Sequence, residues 1–183
     1  MSVDITWSLT NGGTAISTTV DHGSKANGET STVKEFFVRH DGINEITSTK
    51  IFIRAFSGTY LGGTTAAADL AELLNWGDQT TSGSFGGIQV NMDAVNSYPA
   101  AQWPTYSAKD TTYGFAHRTG VGDSEGNGVL LSKNSYSAAG TDGVIPAGAS
   151  PNVRFQARVV VPSDEDTVGI RQWETVLAFN YTS

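Results

Sequence analysis

The chain contains no cysteine. That excludes a disulfide scaffold, a thiolate zinc site and a cysteine nucleophile, and it leaves packing as the source of stability. Positive charge is scarce as well: eleven Lys and Arg stand against eighteen Asp and Glu, a net charge of -7 over 183 residues. A surface with that balance cannot neutralise a run of phosphates, so nucleic acid is not an expected partner. No apolar run approaches the roughly 20 residues that a membrane-spanning helix needs, and no membrane partner is expected. The opening residues, Met1 to Trp7, lack the basic and apolar regions of a secretory leader, which predicts a protein that starts in a cytoplasm. Internal repeats and interdomain linkers are missing too, so residues 1–183 are read as one domain.

What is abundant is turn chemistry. The 21 glycines and many Ser and Thr residues suit short strands joined by tight turns, and they predict an all-β, antiparallel fold. Ile5, Trp7 and Leu9 alternate with Thr6 and Ser8, the period of a half-buried strand, before the turn residues Asn11-Gly12-Gly13. A second alternating segment is expected over 16–20, and a β-branched, aromatic strand over 33–39. In the stretch 51–56, Ile51, Ile53 and Ala55 alternate with Phe52, Arg54 and Phe56, which predicts a central strand with apolar cover on both faces. Val153 to Val161 and Trp173 to Tyr181 read as the last two strands.

One segment breaks the pattern. Leu70, Leu73 and Leu74 recur at helical spacing, Thr65 can cap them and Gly77 can end them, so one short helix is expected over 65–76. Residues 79–150 read as a long, loop-rich insertion with candidate strands at 88–92, 113–117 and 129–132. Long loops on a rigid scaffold are where binding surfaces usually lie.

The run Asn11-Gly12-Gly13, Asp21-His22-Gly23-Ser24, Asn27-Gly28-Glu29 and Phe37-Val38-Arg39-His40-Asp41-Gly42 resembles immunoglobulin-like accessory domains. The finish, from Arg158-Val159-Val160-Val161-Pro162 through Gly169 to Phe179-Asn180-Tyr181, is similar to the last hairpin of that fold. The resemblance implies an immunoglobulin-like antiparallel β-sandwich. Taken with the acidic balance, it further resembles structural proteins of tailed bacteriophage particles. It implies no catalytic residue.

The candidate sites divide by chemistry. His22, His40 and His117 lie in separate turn or strand-end contexts, where a ring that bonds loop backbone is the expected role; no metal site is expected, since one needs two or three of them to converge. Residues 123–128, Asp-Ser-Glu-Gly-Asn-Gly, offer oxygens at alternate positions but lack the length and distal Glu of a calcium-binding hand, and are read as a solvated turn. Asp164-Glu165-Asp166 reads as an acidic loop that keeps the sheet edge soluble. Carboxylate pairs for glycoside hydrolysis could be Asp93 with Asp110 or Asp69 with Glu72, but sequence sets no distance between them. No cofactor is expected. The sequon Asn180-Tyr181-Thr182 has no secretory context to use it.

The aromatic group Tyr98, Trp103, Tyr106 and Tyr113 could stack on sugar faces, anchor a protein interface, or form a small core beneath the insertion. Arg118 and Arg171 join Trp103 and Tyr106 as named interface anchors. These features point to a non-enzymatic virion structural protein, a capsid decoration, neck, tail or baseplate component. It would be assembled in the host cytoplasm and act through contacts with copies of itself and other virion proteins. The alternative is a carbohydrate- or receptor-binding β-sandwich module of a phage fibre, with glycan as partner. A hydrolase on the same scaffold would need two carboxylates, or a histidine and a carboxylate, to converge in a cleft.

Overall fold

The computed structural model describes residues 5–17, 19–40, 42–62, 65–70, 73, 87–91, 114–116, 129–131, 141–147, 153–165 and 168–181. The chain is mostly β, with antiparallel sheets and very little helix. Eight strands are described: β1 (Ile5–Ser8), β2 (Lys34–His40), β3 (Ile46–Ala55), β4 (Gly87–Asn91), β5 (Gly114–Ala116), β6 (Val129–Leu130), β7 (Val153–Val160) and β8 (Trp173–Tyr181). They form a five-stranded sheet in the order β1-β2-β7-β4-β5 and a three-stranded sheet in the order β6-β3-β8.

The sequence dictates much of this. β3 is rich in β-branched residues, which fill a pleated surface well, and it lies between β6 and β8. Ile51, Phe52 and Ile53 are all buried, so successive residues on opposite faces are covered, as their alternation with apolar neighbours requires. Val38, Ile88, Ala157 and Val159 from the larger sheet join Ile46, Ile51 and Ile53 from the smaller one in a single apolar cluster. Each fully buried Ile contributes about 1.5–3 kcal/mol relative to an exposed one. A short helix, described over 66–70 and at 73, adds Leu73, fully buried, and Leu70, partly buried, to the same cluster. Thr65 caps that helix, its Oγ1 accepting from the Ala68 amide at 3.2 Å. Gly77 and Leu74 lie outside the described residues.

Turn glycines sit where the Asn-Gly pairs put them. Gly12 and Gly28 have φ of +68° and +76°, values that side chains with a Cβ adopt only at a cost. The Gly28 amide donates to Val161 O at 3.0 Å, and the Val161 amide returns to Glu29 O at 2.9 Å. The 26–31 segment therefore runs on along the end of β7.

Two expectations are corrected. Among the described residues of 16–20 no strand forms: the Ile16 amide reaches Trp7 O at 2.7 Å, but no ladder follows. The last two strands are no hairpin, because β7 pairs with β2 and β4 while β8 pairs with β3 in the other sheet. Alternation reports which face is buried, not which strand is the neighbour. Within 79–150 the expected strands at 88–92, 113–117 and 129–132 are found as β4, β5 and β6, and β4 lies inside the larger sheet.

Candidate functional site

A groove of about 1080 Å³ opens between the sheets. One wall is built by Ile5 and Trp7 of β1 with Phe36 of β2; the other by Trp173, Leu177, Phe179 and Tyr181 of β8 with Phe56. Residues of the 15–22 segment, among them Ile16, Val20 and His22, line it as well. Trp173, Leu177 and Phe179 share one parity of β8 and pack against the common core, while Glu174 and Val176, of the other parity, also line the groove.

His22 is the titratable ring in this groove. Its Nδ1 lies 3.2 Å from Ser31 Oγ, and its face packs against Trp173, centroids 5.5 Å apart. Burial, reinforced by repulsion from Lys34 and opposed by Asp21, pushes its pKa down from 6.5 to about 4. His40, by contrast, is a turn device. It is 1% exposed; Nε2 donates to Asn44 O at 2.5 Å and Nδ1 accepts from the Gly42 amide at 3.3 Å. It holds the corner after β2 and is more deeply buried than the half-exposed ring expected from sequence. His117 lies outside the described residues.

Glu174, Glu35 and Asp69 are engaged by cationic side chains. Glu174 accepts from Arg54 Nε at 2.6 Å and from the Ser57 amide at 2.9 Å, and the Ser57 hydroxyl also donates to it. Those bonds, Ser57's side chain first, hold its pKa below the ordinary value despite some desolvation. Glu35 is desolvated, but bonds from Gln156 at 2.8 Å and from Arg154 outweigh that and lower its pKa too. Asp69 is fully buried, accepts from the Tyr60 hydroxyl and lies 3.8 Å from Arg171 Nε. Among the described residues no three His, Asp or Glu side chains gather closely enough to hold a metal ion, and no helix is long and apolar enough to cross a membrane.

Tyr98, Trp103, Tyr106, Tyr113 and Arg118 lie outside the described residues, as do Asp93, Asp110, Glu72, Asp166 and the 123–128 turn. Arg171 is described, and its side chain is only 14% exposed in the pair with Asp69. The structure thus gives it an intramolecular partner rather than a place as a displayed anchor. Asp164 is exposed, and Glu165 O accepts from the Asn27 side chain, so the acidic loop is fastened to the turn at 27–28.

The remaining feature of this face is the outer edge of β8. This strand of nine residues borders the smaller sheet, and among the described residues no strand pairs with its far side. Edge strands are ordinarily guarded by Lys, Pro, bulges or brevity. β8, Trp-Glu-Thr-Val-Leu-Ala-Phe-Asn-Tyr, has neither Lys nor Pro, and its one ionised residue, Glu174, is neutralised by Arg54. That signal was readable in the composition of 173–181 once the strand is known to be an edge. Sequence alone does not say which strand is an edge. No family model, curated protein or solved structure matches this chain.

Proposed function

We propose that this chain is a non-enzymatic assembly protein, a structural component of a tailed-phage virion built on an immunoglobulin-like sandwich. The observation that carries this reading is the outer edge of β8, nine residues long, with which no further strand pairs among the described residues, and with Tyr181 at 56% exposure at its end. A free edge offers a row of backbone donors and acceptors to another chain, and strand addition is a standard route to protein–protein contact. The two antiparallel sheets with a shared core support the immunoglobulin-like reading. The acidic balance and the turn motifs support the virion. Partners are then copies of the chain and neighbouring virion proteins.

The test is fractionation of a native extract on a density gradient, with the chain followed by mass spectrometry. It should travel with high-mass particles and at constant ratio to its neighbours. A chain found solely as a small free species sinks the proposal.

The groove favours one second reading, a carbohydrate- or receptor-binding module of a phage fibre, because Trp7 and Trp173 offer ring faces of the kind sugars stack on. A glycan array separates the two readings: binding abolished by Trp173→Ala favours the module, and an array without hits removes it.

A further inference from the structure

We infer that β8 is a two-fold seam through which two copies of this chain join, edge to edge and antiparallel; this rests on the assembly reading above and names the partner. The argument is the self-complementarity of the strand. An isologous antiparallel contact places residue i of one copy against residue j of the other with i + j constant. Centring the axis on Leu177 is the arrangement that pairs the full strand. Trp173 then meets Tyr181 of the second copy, Glu174 meets Asn180, Thr175 meets Phe179 and Val176 meets Ala178. Aromatic stands against aromatic, a β-branched residue against an aromatic, and a carboxylate against an amide donor, all favourable cross-strand pairs.

Charge agrees with this occupant. Two copies each carry -7, and such chains repel unless the contact itself is nearly neutral. In the seam the two Glu174 side chains lie at opposite ends, each already bonded to its own Arg54 at 2.6 Å. Remote repulsion is screened beyond about 8 Å at physiological salt. Association through β8 should therefore strengthen as salt is raised, the reverse of a contact held by ion pairs.

The absence of cysteine makes the register directly testable in the full chain. Val176→Cys and Ala178→Cys chains are purified separately and then mixed under mild oxidation. Cross-strand neighbours have Cβ atoms about 4.5–5.5 Å apart, close to what a disulfide takes. The mixed V176C–A178C product should exceed either like-with-like product by about fivefold, given that spacing against about 7–8 Å on the diagonals. In parallel, sedimentation compares V176E/A178E with V176K/A178E. Both carry the same Ala178→Glu change, at the position that pairs with Lys50 of β3, and they differ only at position 176. The first sets like charges across the axis and should weaken association by about tenfold or more; the second sets opposite charges and should restore it. Thermal melts show whether each variant folds, and if V176E/A178E does not, the cysteine pair decides.

A wild-type chain that stays monomeric at about 0.5 mM, far above the dissociation constants of specific complexes, overturns the seam. A mixed product no more than about twice either like-with-like product, the ratio of random pairing, overturns it too, as does full dimerisation of a folded V176E/A178E chain. The gradient separates this from the wider reading: a monomer that still travels with particles loses the seam and keeps the assembly role, whereas a dimer never found in particles does the reverse.

Discussion

The imidazole of His22 lies against the indole of Trp173, centroids 5.5 Å apart and planes tilted by 32°. The contact ties the segment before β2 to the first residue of β8. On the other side of the ring system, Ser31 Oγ accepts from the Val159 amide of β7 at 2.9 Å and lies 3.2 Å from His22 Nδ1. A path of bonds and ring contact thus runs from β7 of the larger sheet, through Ser31 and His22, to β8 of the smaller one. Ser31 Oγ also reaches Thr32 O at 3.3 Å, so the direction of the His22–Ser31 bond follows the ring tautomer, and what the site requires of His22 is burial, which favours the uncharged imidazole.

The pH dependence of stability follows from that requirement. The His22 pKa is about 4 in the fold against 6.5 unfolded, so between those values the unfolded chain binds more protons and stability rises with pH. The contribution is complete above about pH 6.5 and falls away toward pH 4. A shift of that size is worth roughly 3 kcal/mol, and solvent reaching this half-buried ring cuts the effect to about 1–2 kcal/mol. Urea unfolding at pH 7 and pH 5 should show the loss in the native chain and little of it in His22→Gln. Glu35 and Glu174 act in a lower window. Their pKa values are depressed below 4.5, so what they add is present above that value and is lost as pH falls through their folded values.

Asp69 and Arg171 make a second case where burial sets the outcome. Asp69 has no exposed surface, and Arg171 is 14% exposed beside it. Asp69→Ala leaves a largely buried guanidinium without its counter-ion, and the expected cost is about 3–5 kcal/mol. Tyr60→Phe removes one bond to the same carboxylate and should cost about 1.5–3 kcal/mol. Denaturant midpoints check both. A variant Arg171→Ala that unfolds like the native chain but associates differently would return this residue to the surface role expected from sequence.

The strands were legible because their signal is local. Ile51 and Ile53 alternate with Phe52, and all three are buried; Gly12 and Gly28 follow Asn and take positive φ; Leu70 and Leu73 share a helical face and reach the core. Pairing was not legible, because it is set by contacts between residues distant in the chain. Val153 to Val160 and Trp173 to Tyr181 look like neighbours in sequence, yet each found its partner elsewhere. The groove escaped for the same reason: Trp7, His22 and Trp173 come from three separate segments, and nothing near any one of them names the others. The 16–20 segment shows the limit of periodicity, since its alternation is clear but a strand also needs an edge to pair with.

The bulge in β3 gives a backbone test. The register with β8 shifts between Thr47 and Lys50, and Ser48 sits at a φ of +53°. A residue with a Cβ pays about 1–2 kcal/mol in that region. Ser48→Gly removes this strain and gives back part of it as chain entropy, for an expected gain of about 0.5–1 kcal/mol. Ser48→Val brings a β-branched side chain to a left-handed position and should cost more than the strain already present. Opposite signs for the two variants in thermal unfolding would establish that the bulge is strained; a destabilising Ser48→Gly would show that it is not.

Beside that bulge, Thr49 is turned away from β8. Its amide donates to Gly143 O at 2.9 Å, and its carbonyl accepts from the Leu131 amide at 2.8 Å. The bulge therefore lets one strand hold β8 along most of its length and still fasten the 131 and 143 segments. The side chain does not share in this. Thr49 is fully buried, and its Oγ1 has no hydrogen-bond partner among the described residues. A buried hydroxyl without a partner costs about 1–3 kcal/mol relative to one that is satisfied. Thr49→Val keeps the shape and the β-branch and replaces the hydroxyl by a methyl, so the variant should be more stable by about 1 kcal/mol. Thr49→Ser keeps the hydroxyl and deletes the methyl, and it should lose about 1 kcal/mol of packing. If Thr49→Val instead destabilises by a similar amount in urea, the hydroxyl has a partner and the reading of this site is wrong.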